Sequence, residues 1–391
     1  MTQTDALVQG VQLPFLEFFA GGGMARLGLG DAWQCTFANE WCEKKALSYK
    51  ANFGGAKELR VADVAKLTIA DLPEKAELAW ASFPCQDLSL AGLGAGLFGK
   101  RSGAFTPFWN LIRELVDARR APKIIVLENV IGALTSNEGK DFAAIIECLK
   151  LSGYAAGALV IDANAFLPQS RSRLFIVGLY SSSTPPSKLS LPGPWGTWHS
   201  RSVLDAYGRL PESLKQNWVW WSLPRPSGRV AALSAIIEAE PVGVEWHTEA
   251  ETDRLISLMS PVHLEKLEKA KRFGTRIIGA VYKRTRLNDQ GVRVHRAEIR
   301  FDQVAGCLRT PGGGSSRQSI VVVEGQQVQS RLLSPREAAR LMGLPETYIL
   351  PSKYNDAYHL LGDGLAVPVV SWLEAHLLHP LALTPETVMA A

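Results

Sequence analysis

Ser82-Phe83-Pro84-Cys85-Gln86, Glu128-Asn129-Val130 and Gln169-Ser170-Arg171-Ser172-Arg173 follow one another along the chain, each at the end or the start of a strand-like apolar run. A cysteine, a carboxyl and a guanidinium so placed form a chemically coherent set. The thiolate can add to an electron-poor ring, the carboxyl can hydrogen-bond or protonate a ring nitrogen, and the arginine can hold a carbonyl oxygen. That is equipment for attacking C6 of a cytosine so that C5 becomes nucleophilic. A lone Pro-Cys would carry little weight, because unpaired cysteines are more often inert buried residues.

A nucleophilic carbon needs an electrophile, and the N-terminal region supplies a pocket for its carrier. Leu13 to Phe18 reads as a short apolar strand, running into Phe19-Ala20-Gly21-Gly22-Gly23 and then a helical pattern from Met24 to Leu29. Glycines at a strand-to-helix turn let backbone approach a ligand and adopt angles closed to other residues. A second strand, Gln34 to Ala38, closes on Asn39-Glu40-Trp41. An acidic residue roughly 20 positions beyond such a turn is the usual partner of ribose hydroxyls. Asp63, after Leu59-Arg60-Val61, can meet an adenine amino group. There is no Walker pattern, which favours a nucleoside ligand without a triphosphate.

These residues need a scaffold. Further strands are expected at Leu78 to Ser82, Ile124 to Glu128, Ala155 to Asp162 and Leu174 to Leu179, with amphipathic helical stretches at Pro107 to Arg119 and Asp141 to Ser152. This alternation predicts an α/β fold, a mostly parallel sheet covered by helices on both faces. Ligands of such sheets sit beyond the carboxyl ends of the strands. Phe19, Glu40, Cys85 and Glu128 all fall there.

Seven blocks in order resemble the DNA (cytosine-5)-methyltransferase family of prokaryotic type, of restriction-modification or orphan enzymes. They are EFFAGGG (Glu17 to Gly23), ANEW (Ala38 to Trp41), SFPCQDLSLAG (Ser82 to Gly92), ENV (Glu128 to Val130), PQSRSRLFIVG (Pro168 to Gly178), RLLSPREAARLMGLP (Arg331 to Pro345) and LLGDGLAVPVV (Leu360 to Val370). The resemblance implies a Rossmann-like S-adenosylmethionine-dependent domain, 13–184 completed by 355–380, and a smaller target-recognition domain, 185–354. It implies S-adenosyl-L-methionine as cofactor, with Phe19 against adenine, Glu40 on the ribose and Asp63 on the purine amine. Gly21, Gly23, Trp41, Pro84 and Asp363 complete the cofactor set. It implies Cys85 as nucleophile, Glu128 at N3, Arg173 at O2 and Arg171 in support, acting on a cytosine flipped from a specific duplex sequence. Glu17 stands where the family commonly has Asp, and Met24 where it has Gly. Asp363 replaces an Asn, keeping acceptor oxygens but losing the amide donor.

Two alternatives share this likeness: a methyltransferase acting on transfer RNA, and a catalytically silent DNA-binding relative. The long basic recognition segment favours DNA, and intact Cys85, Glu128 and Arg173 favour catalysis. A nicotinamide oxidoreductase, the other reading of a glycine turn, explains neither the Pro-Cys nor the paired arginines.

A length of 391 residues suits two domains, since single cores stop growing near about 250–300 residues. A 47% hydrophobic content suits a soluble globular protein. No run of 18 or more apolar residues predicts a membrane span, and Met1 to Val8 lacks the pattern of a secretory signal. Cys35, Cys42, Cys85, Cys148 and Cys307 are scattered, without zinc spacing. They favour a reducing, cytoplasmic setting and no metal. Duplex DNA is the expected partner of a monomer, with any cognate restriction endonuclease acting separately.

The net charge of +4 is slight, but from Lys266 to Arg317 basic residues outnumber acidic ones by roughly three to one. That is a footprint for phosphate contacts, although Glu265 to Lys271 fits a solvated helix face equally well. Candidate DNA contacts are Lys283, Arg284, Arg286, Arg309 and Arg317, joined by Gln86, Ser89, Lys100 and Arg101. Lys283, Arg284 and Arg286 are assigned to phosphates and Arg309 to base reading. Gln86 to Gly103 is either a glycine-rich lid over substrate or a surface loop. Pro311 to Arg317 is either a loop lying close to DNA or a plain turn. Five of the eleven tryptophans lie between Trp195 and Trp221, where they either stack on bases or fill a core. Ser334 with Glu337 forms a capping box for a helix starting at Pro335. Tyr358 to Leu378 reads as a glycine turn entering an apolar helix, which the resemblance returns to a place beside the first strand.

Overall fold

The computed structural model describes residues 12–84, 103–180, 183–229, 231–287, 290–310 and 317–385. The chain divides into two compact units. One comprises residues up to Ile161, Arg173–Arg225 and those from Val370 onward; the other comprises Asp162–Ser172 and Pro226–Val369.

The first unit is built on a seven-stranded sheet. Its strands are β1 (Leu13–Phe18), β2 (Trp33–Glu40), β3 (Leu59–Val61), β4 (Leu78–Ala81), β5 (Ile124–Val130), β6 (Tyr154–Asp162) and β7 (Ser172–Tyr180). Their order is β3-β2-β1-β4-β5-β7-β6. Pairings from β3 to β5 are parallel, and β7 runs antiparallel to β5. Central strands such as Ile124 to Leu127 are apolar and buried throughout, as strands covered on both faces must be. Leu16, Phe18, Ala79, Ala81, Ile125 and Leu127 share one core with the apolar stripes of α3 (Phe105–Asp117) and α4 (Lys140–Leu151). Helices α1 (Met24–Leu29) and α2 (Glu43–Asn52) follow β1 and β2. This is the Rossmann-like α/β architecture expected from the alternation.

The sheet also holds residues 185–225, which the sequence reading assigned to the smaller domain. Short strands β8 (Ser190–Leu191) and β9 (Trp220–Trp221) pair with one another, next to helices α5 (Arg201–Arg209) and α6 (Glu212–Lys215). Trp221 donates its indole N–H to Val177 O (3.0 Å). Trp218 meets the rings of Phe142 and Tyr207, and Trp220 those of His199 and Tyr207. The tryptophan cluster is therefore core of the first unit. Near the C-terminus, Glu374 accepts from the Trp33 indole N–H (3.0 Å), and Lys123 donates to Ala382 O (2.6 Å). The chain end thus returns to the sheet.

The second unit contains α7 (Glu249–Ser257), α8 (Pro261–Arg272) and an antiparallel sheet that the sequence reading did not foresee. Its strands are β10 (Ile277–Leu287), β11 (Arg293–Arg300), β12 (Ser319–Glu324) and β13 (Gln327–Leu332), ordered β11-β10-β12-β13. Helix α9 (Pro335–Leu341) starts at the expected capping box: Ser334 Oγ accepts from Glu337 N (3.1 Å), and Glu337 accepts from Ser334 N (2.7 Å). Glu337 also pairs with Arg331, both wholly buried. Helix α10 (Tyr354–Asp363) stays with this unit, since Tyr358 OH accepts from Gln318 N (2.8 Å); α11 (Val367–Leu373) and α12 (His379–Ala382) follow. Residues 354–382 are long and apolar enough by composition to cross a membrane, but half of that apolar window is buried. Non-helical backbone at Gly364–Ala366 interrupts it.

At Gly157 of β6 the 190–221 segment lies tight against the sheet, because a Cβ there would overlap the Val219 carbonyl oxygen. Gly157→Ala should lower stability by about 1–3 kcal/mol, the usual cost of overpacking. A urea titration against wild type reads this directly; an unchanged midpoint would show that the segment can move away freely.

Candidate active site

The turn after β1 is held open by backbone angles and by one carboxylate. Phe19 (φ 57°), Gly21 (φ 57°) and Gly23 (φ 78°) all lie in the left-handed region, which bends the chain sharply from strand to helix. A Cβ at Gly23 would overlap the Phe53 ring, whereas one at Gly21 would meet nothing within 4 Å. Space is therefore open beside Gly21, and its amide donates to Glu40 Oε2 (2.8 Å). Glu40 Oε1 accepts from Cys42 N (2.8 Å). This 4%-exposed carboxylate joins the ends of β1 and β2 and keeps lone pairs beyond those two bonds. The neighbouring Asn39 amide donates to Arg60 O (3.3 Å) and Ala62 O (2.9 Å), fixing the end of β3. Asp63 follows, exposed, with its carboxylate accepting from Ala65 N (2.9 Å). Phe19 lies edge-on to Phe108 (6.2 Å between ring centroids), and Trp41 is 73% exposed. Phe19, Gly21, Glu40, Trp41 and Asp63 thus gather beyond the carboxyl ends of three adjacent strands. Open space, a buried acceptor and exposed aromatic surface suit a nucleoside.

Behind this turn lies a polar layer of which only Glu17 was singled out in the sequence. Glu17 accepts from Tyr49 OH (2.9 Å) and from Arg26 N (3.3 Å). Arg26 donates to Tyr49 OH (3.2 Å), pairs with Glu58 and lies over the Phe53 ring. Cys35 Sγ is 3.5 Å from Tyr49 OH. Burial dominates the protonation here, pushing the Glu17 carboxyl up to about 7 and the Cys35 thiol up to about 12. Burial likewise pushes Cys148 up to about 12. Neither thiol is poised as a nucleophile at neutral pH.

Glu128 and Arg173 meet on neighbouring strands. In the antiparallel register Val130 lies opposite Arg173 and Glu128 opposite Phe175. Arg173 Nε lies 3.2 Å from Glu128 Oε1, and both side chains are largely buried. Between them in sequence, Asn129 donates to Phe83 O (3.0 Å) and accepts from Val130 N (2.8 Å). It ties the end of β5 to the residues leading into Cys85. Sequence reasoning gives Asn129 no role; its one signal is an amide next to Glu128 at the end of an apolar run. Trp80 donates to Ser82 Oγ (3.0 Å), and Phe83 packs on Phe105. Pro84 is exposed. Cys85, Gln86, Ser89, Lys100 and Arg101, and with them the glycine-rich segment, lie outside the described residues.

Arg171 is placed differently from Arg173. Its guanidinium is buried in the second unit, donating to the carbonyl oxygens of Leu308 (2.9 Å), Gly362 (3.0 Å) and Gly364, with Cys307 Sγ at 3.4 Å. Asp363 is the last residue of α10, between two of those carbonyls. Gln169 binds the same region, accepting from Leu308 N (3.1 Å) and donating to Leu341 O (2.5 Å). Among the candidate DNA contacts, Lys283, Arg284 and Arg286 are exposed on β10 and Arg309 is exposed after β11. Arg317 is half-buried, donating to Asn355 Oδ1 (2.6 Å) over the Tyr354 ring. Residues 311–316 lie outside the described residues. Lys269 and Lys271 of α8 pair with Glu265 (2.8 Å) and Glu268 (2.8 Å), in keeping with a solvated helix face.

The Glu17 layer has a pH signature. In the unfolded chain this carboxyl ionises in the ordinary range; in the folded protein it holds its proton up to about pH 7. Between those values the folded state binds the extra proton, so stability falls as pH rises through the window and is level above it. Thermal melts should show wild type losing ground to Glu17→Gln between about pH 5 and pH 7.5. Parallel profiles would mean that Glu17 is ionised in the fold.

A sequence profile of the C-5 cytosine-specific DNA methylases matches residues 13–379. The type II methyltransferase M.HpaII of Haemophilus parainfluenzae is 25% identical over 374 residues, spanning 91% of this chain and 86% of that protein. M.HhaI of Haemophilus parahaemolyticus is 25% identical across 92% of this chain and 93% of its own length. M.BsuFI of Bacillus subtilis is 36% identical across 44% of this chain and 40% of its own. The fold resembles that of the Entamoeba histolytica methyltransferase EhMeth, with a TM-score of 0.60 at 15% identity, covering 95% of this chain and 99% of that one. It also resembles S. pombe Dnmt2, with a TM-score of 0.56 at 19% identity and the same coverage. The chain therefore belongs to the C-5 cytosine-specific DNA methylase family, as a DNA (cytosine-5)-methyltransferase whose methyl donor is S-adenosyl-L-methionine.

Proposed function

We propose that the enzyme methylates a cytosine flipped out of a specific sequence in duplex DNA, through a covalent bond between Cys85 and C6. The observation that carries this reading is the Arg173–Glu128 pair (3.2 Å), set beside an asparagine that anchors the residues before Cys85. The target carbon is out of reach inside a duplex, and extruding its nucleotide costs a few kcal/mol. The second unit then acts as the target-recognition domain, with residues 185–225 and the chain's C-terminal end counted to the catalytic one. The enzyme acts as a monomer in the cytoplasm, and any cognate restriction endonuclease is a separate protein.

The cofactor would be held by Phe19 against adenine, Glu40 on the ribose and Asp63 on the purine amine, with Gly21 and Gly23 shaping the turn and Trp41 and Pro84 around it. When bound, it supplies an electrophilic methyl group for C5. As the Cys85 thiolate bonds to C6, the ring's electron pair moves toward C5 and N3. Glu128 meets N3 with a hydrogen bond or a proton, and Arg173 holds the charge growing on O2. Arg171 acts at one remove, as a positioning residue. Once C5 carries the methyl group, its proton leaves to water, and the returning electron pair expels the thiolate and restores the ring.

Cys85→Ser should abolish turnover with cofactor binding nearly unchanged. Duplex DNA carrying 5-fluorocytosine should trap a covalent adduct with wild type only; an adduct with the serine variant would remove Cys85 from its role. Transfer RNA offered in place of duplex DNA should take up no labelled methyl group. Arg173→Ala should lower kcat by about 10²–10³, as for loss of one donor to a developing charge. Glu40→Ala should weaken cofactor binding by roughly 1–3 kcal/mol with DNA affinity little changed. Equal losses for both ligands would argue against a ribose contact.

A further inference from the structure

Strand β10 is longer than the sheet that holds it. It pairs with β12 only over Ile277 to Val281, but with β11 from Ala280 to Leu287. Beyond Val281 the two strands continue as a ribbon of six residue pairs, Tyr282↔Glu298 to Leu287↔Arg293. At about 3.4 Å per residue it extends roughly 20 Å. The core beneath the sheet takes in Val281, Ala297 and Ile299 but nothing from Lys283 to Leu287. All five of those residues are exposed, so apolar burial does not explain the extension.

The ribbon's charge is mostly of one sign. β10 and β11 carry Lys283, Arg284, Arg286, Arg293, Arg296 and Arg300, against Glu298 as their only acidic residue. Strand alternation puts Tyr282, Arg284 and Arg286 on one face, with Arg296 and Glu298 opposite. Glu298 organises that face. It accepts from Arg286 Nε (2.6 Å), with Arg286 Nη2 equally close (2.6 Å), and lies 3.4 Å from Arg284 Nε. Arg284 is further fixed over the Tyr282 ring (5.2 Å), and Tyr282 OH donates to Cys307 O. The arginines are thus held in place before any ligand arrives. With one edge of the Arg286 fork on Glu298, the outer N–H groups remain aimed along the side chain.

A two-stranded ribbon fits the major groove of B-DNA, where an arginine bonding in pairs selects guanine through O6 and N7. We infer that the β10–β11 ribbon enters the major groove and that Arg286, held by Glu298, reads a guanine of the target. This rests on the reading of the second unit as the recognition domain, and it moves Arg286 from the phosphate contacts to the base contacts.

The test exposes full-length wild type, Arg286→Ala, Glu298→Gln and Lys283→Ala to a random-sequence duplex library. One arm sequences the duplexes each protein binds; a second maps cytosine methylation by bisulfite sequencing. In the binding arm Arg286→Ala should lose roughly 5- to 150-fold discrimination at a single G·C pair, the worth of one bidentate contact, and keep the others. Glu298→Gln should relax the same pair to a smaller degree. Lys283→Ala should keep every preference and lower the salt slope by about one unit. An Arg286→Ala variant that keeps all preferences overturns the inference, and so does one that merely binds every sequence less well with a smaller salt slope. A wild type that selects no sequence overturns it together with the recognition reading. Selection of a sequence without methylation would defeat only the proposed reaction.

Discussion

A guanidinium removed from water needs acceptors, and in the second unit the two terminal nitrogens of Arg171 are met by backbone carbonyls. Carbonyl oxygens from Leu308, Gly362 and Gly364 converge on one side chain from segments far apart in sequence. Asp162 accepts from the Arg171 amide (3.0 Å) and from Ser172 Oγ (2.5 Å), closing the loop that presents it. Hydrogen bonds to charged groups contribute about 1.5–3 kcal/mol each, set against the cost of taking the guanidinium out of water. Two residues further on, Arg173 is directed at Glu128. The same residue type gathers backbone carbonyls in one unit and pairs with a carboxylate in the other.

Buried carboxylates show a similar division. Glu17 and Glu40 stand at the ends of neighbouring strands, both nearly inaccessible to water. Glu40 meets two backbone amides, partners suited to an anion. Glu17 meets a phenol and one long amide contact, and burial outweighs them. The Arg331–Glu337 pair in the second unit is a third solution, in which full burial is met by a two-oxygen fork, a helix cap and the Trp246 ring 4.9 Å from the guanidinium. Breaking such a pair by removing one partner typically costs about 3–5 kcal/mol.

Much of the first unit could be read along the chain because its signals are local. Leu13–Phe18 and Met24–Leu29 have the expected bounds, set by a short apolar run, glycines and a 3.6-residue period. The Ser334 cap needs only four residues. What escaped depends on distant contacts. Nothing local tells that Val219 will press on Gly157, so residues 185–225 were given to the wrong side of a Ser/Pro-rich stretch. Strands β10 and β11 were missed because basic side chains on both faces blur the alternation that marks a half-buried strand. Arg171 and Arg173 cannot be told apart by type, and only their partners, carbonyls for one and a carboxylate for the other, separate them.

Phe19 carries a bulky side chain at φ 57°, where residues other than glycine typically give up about 1–2 kcal/mol. Glycine would relax that backbone and take away the ring. Selection for heat resistance and, on the proposed adenine contact, selection for cofactor affinity therefore pull this one position in opposite directions. In a directed-evolution campaign, position 19 is where a gain in melting temperature would come with the loss of the ring that meets Phe108.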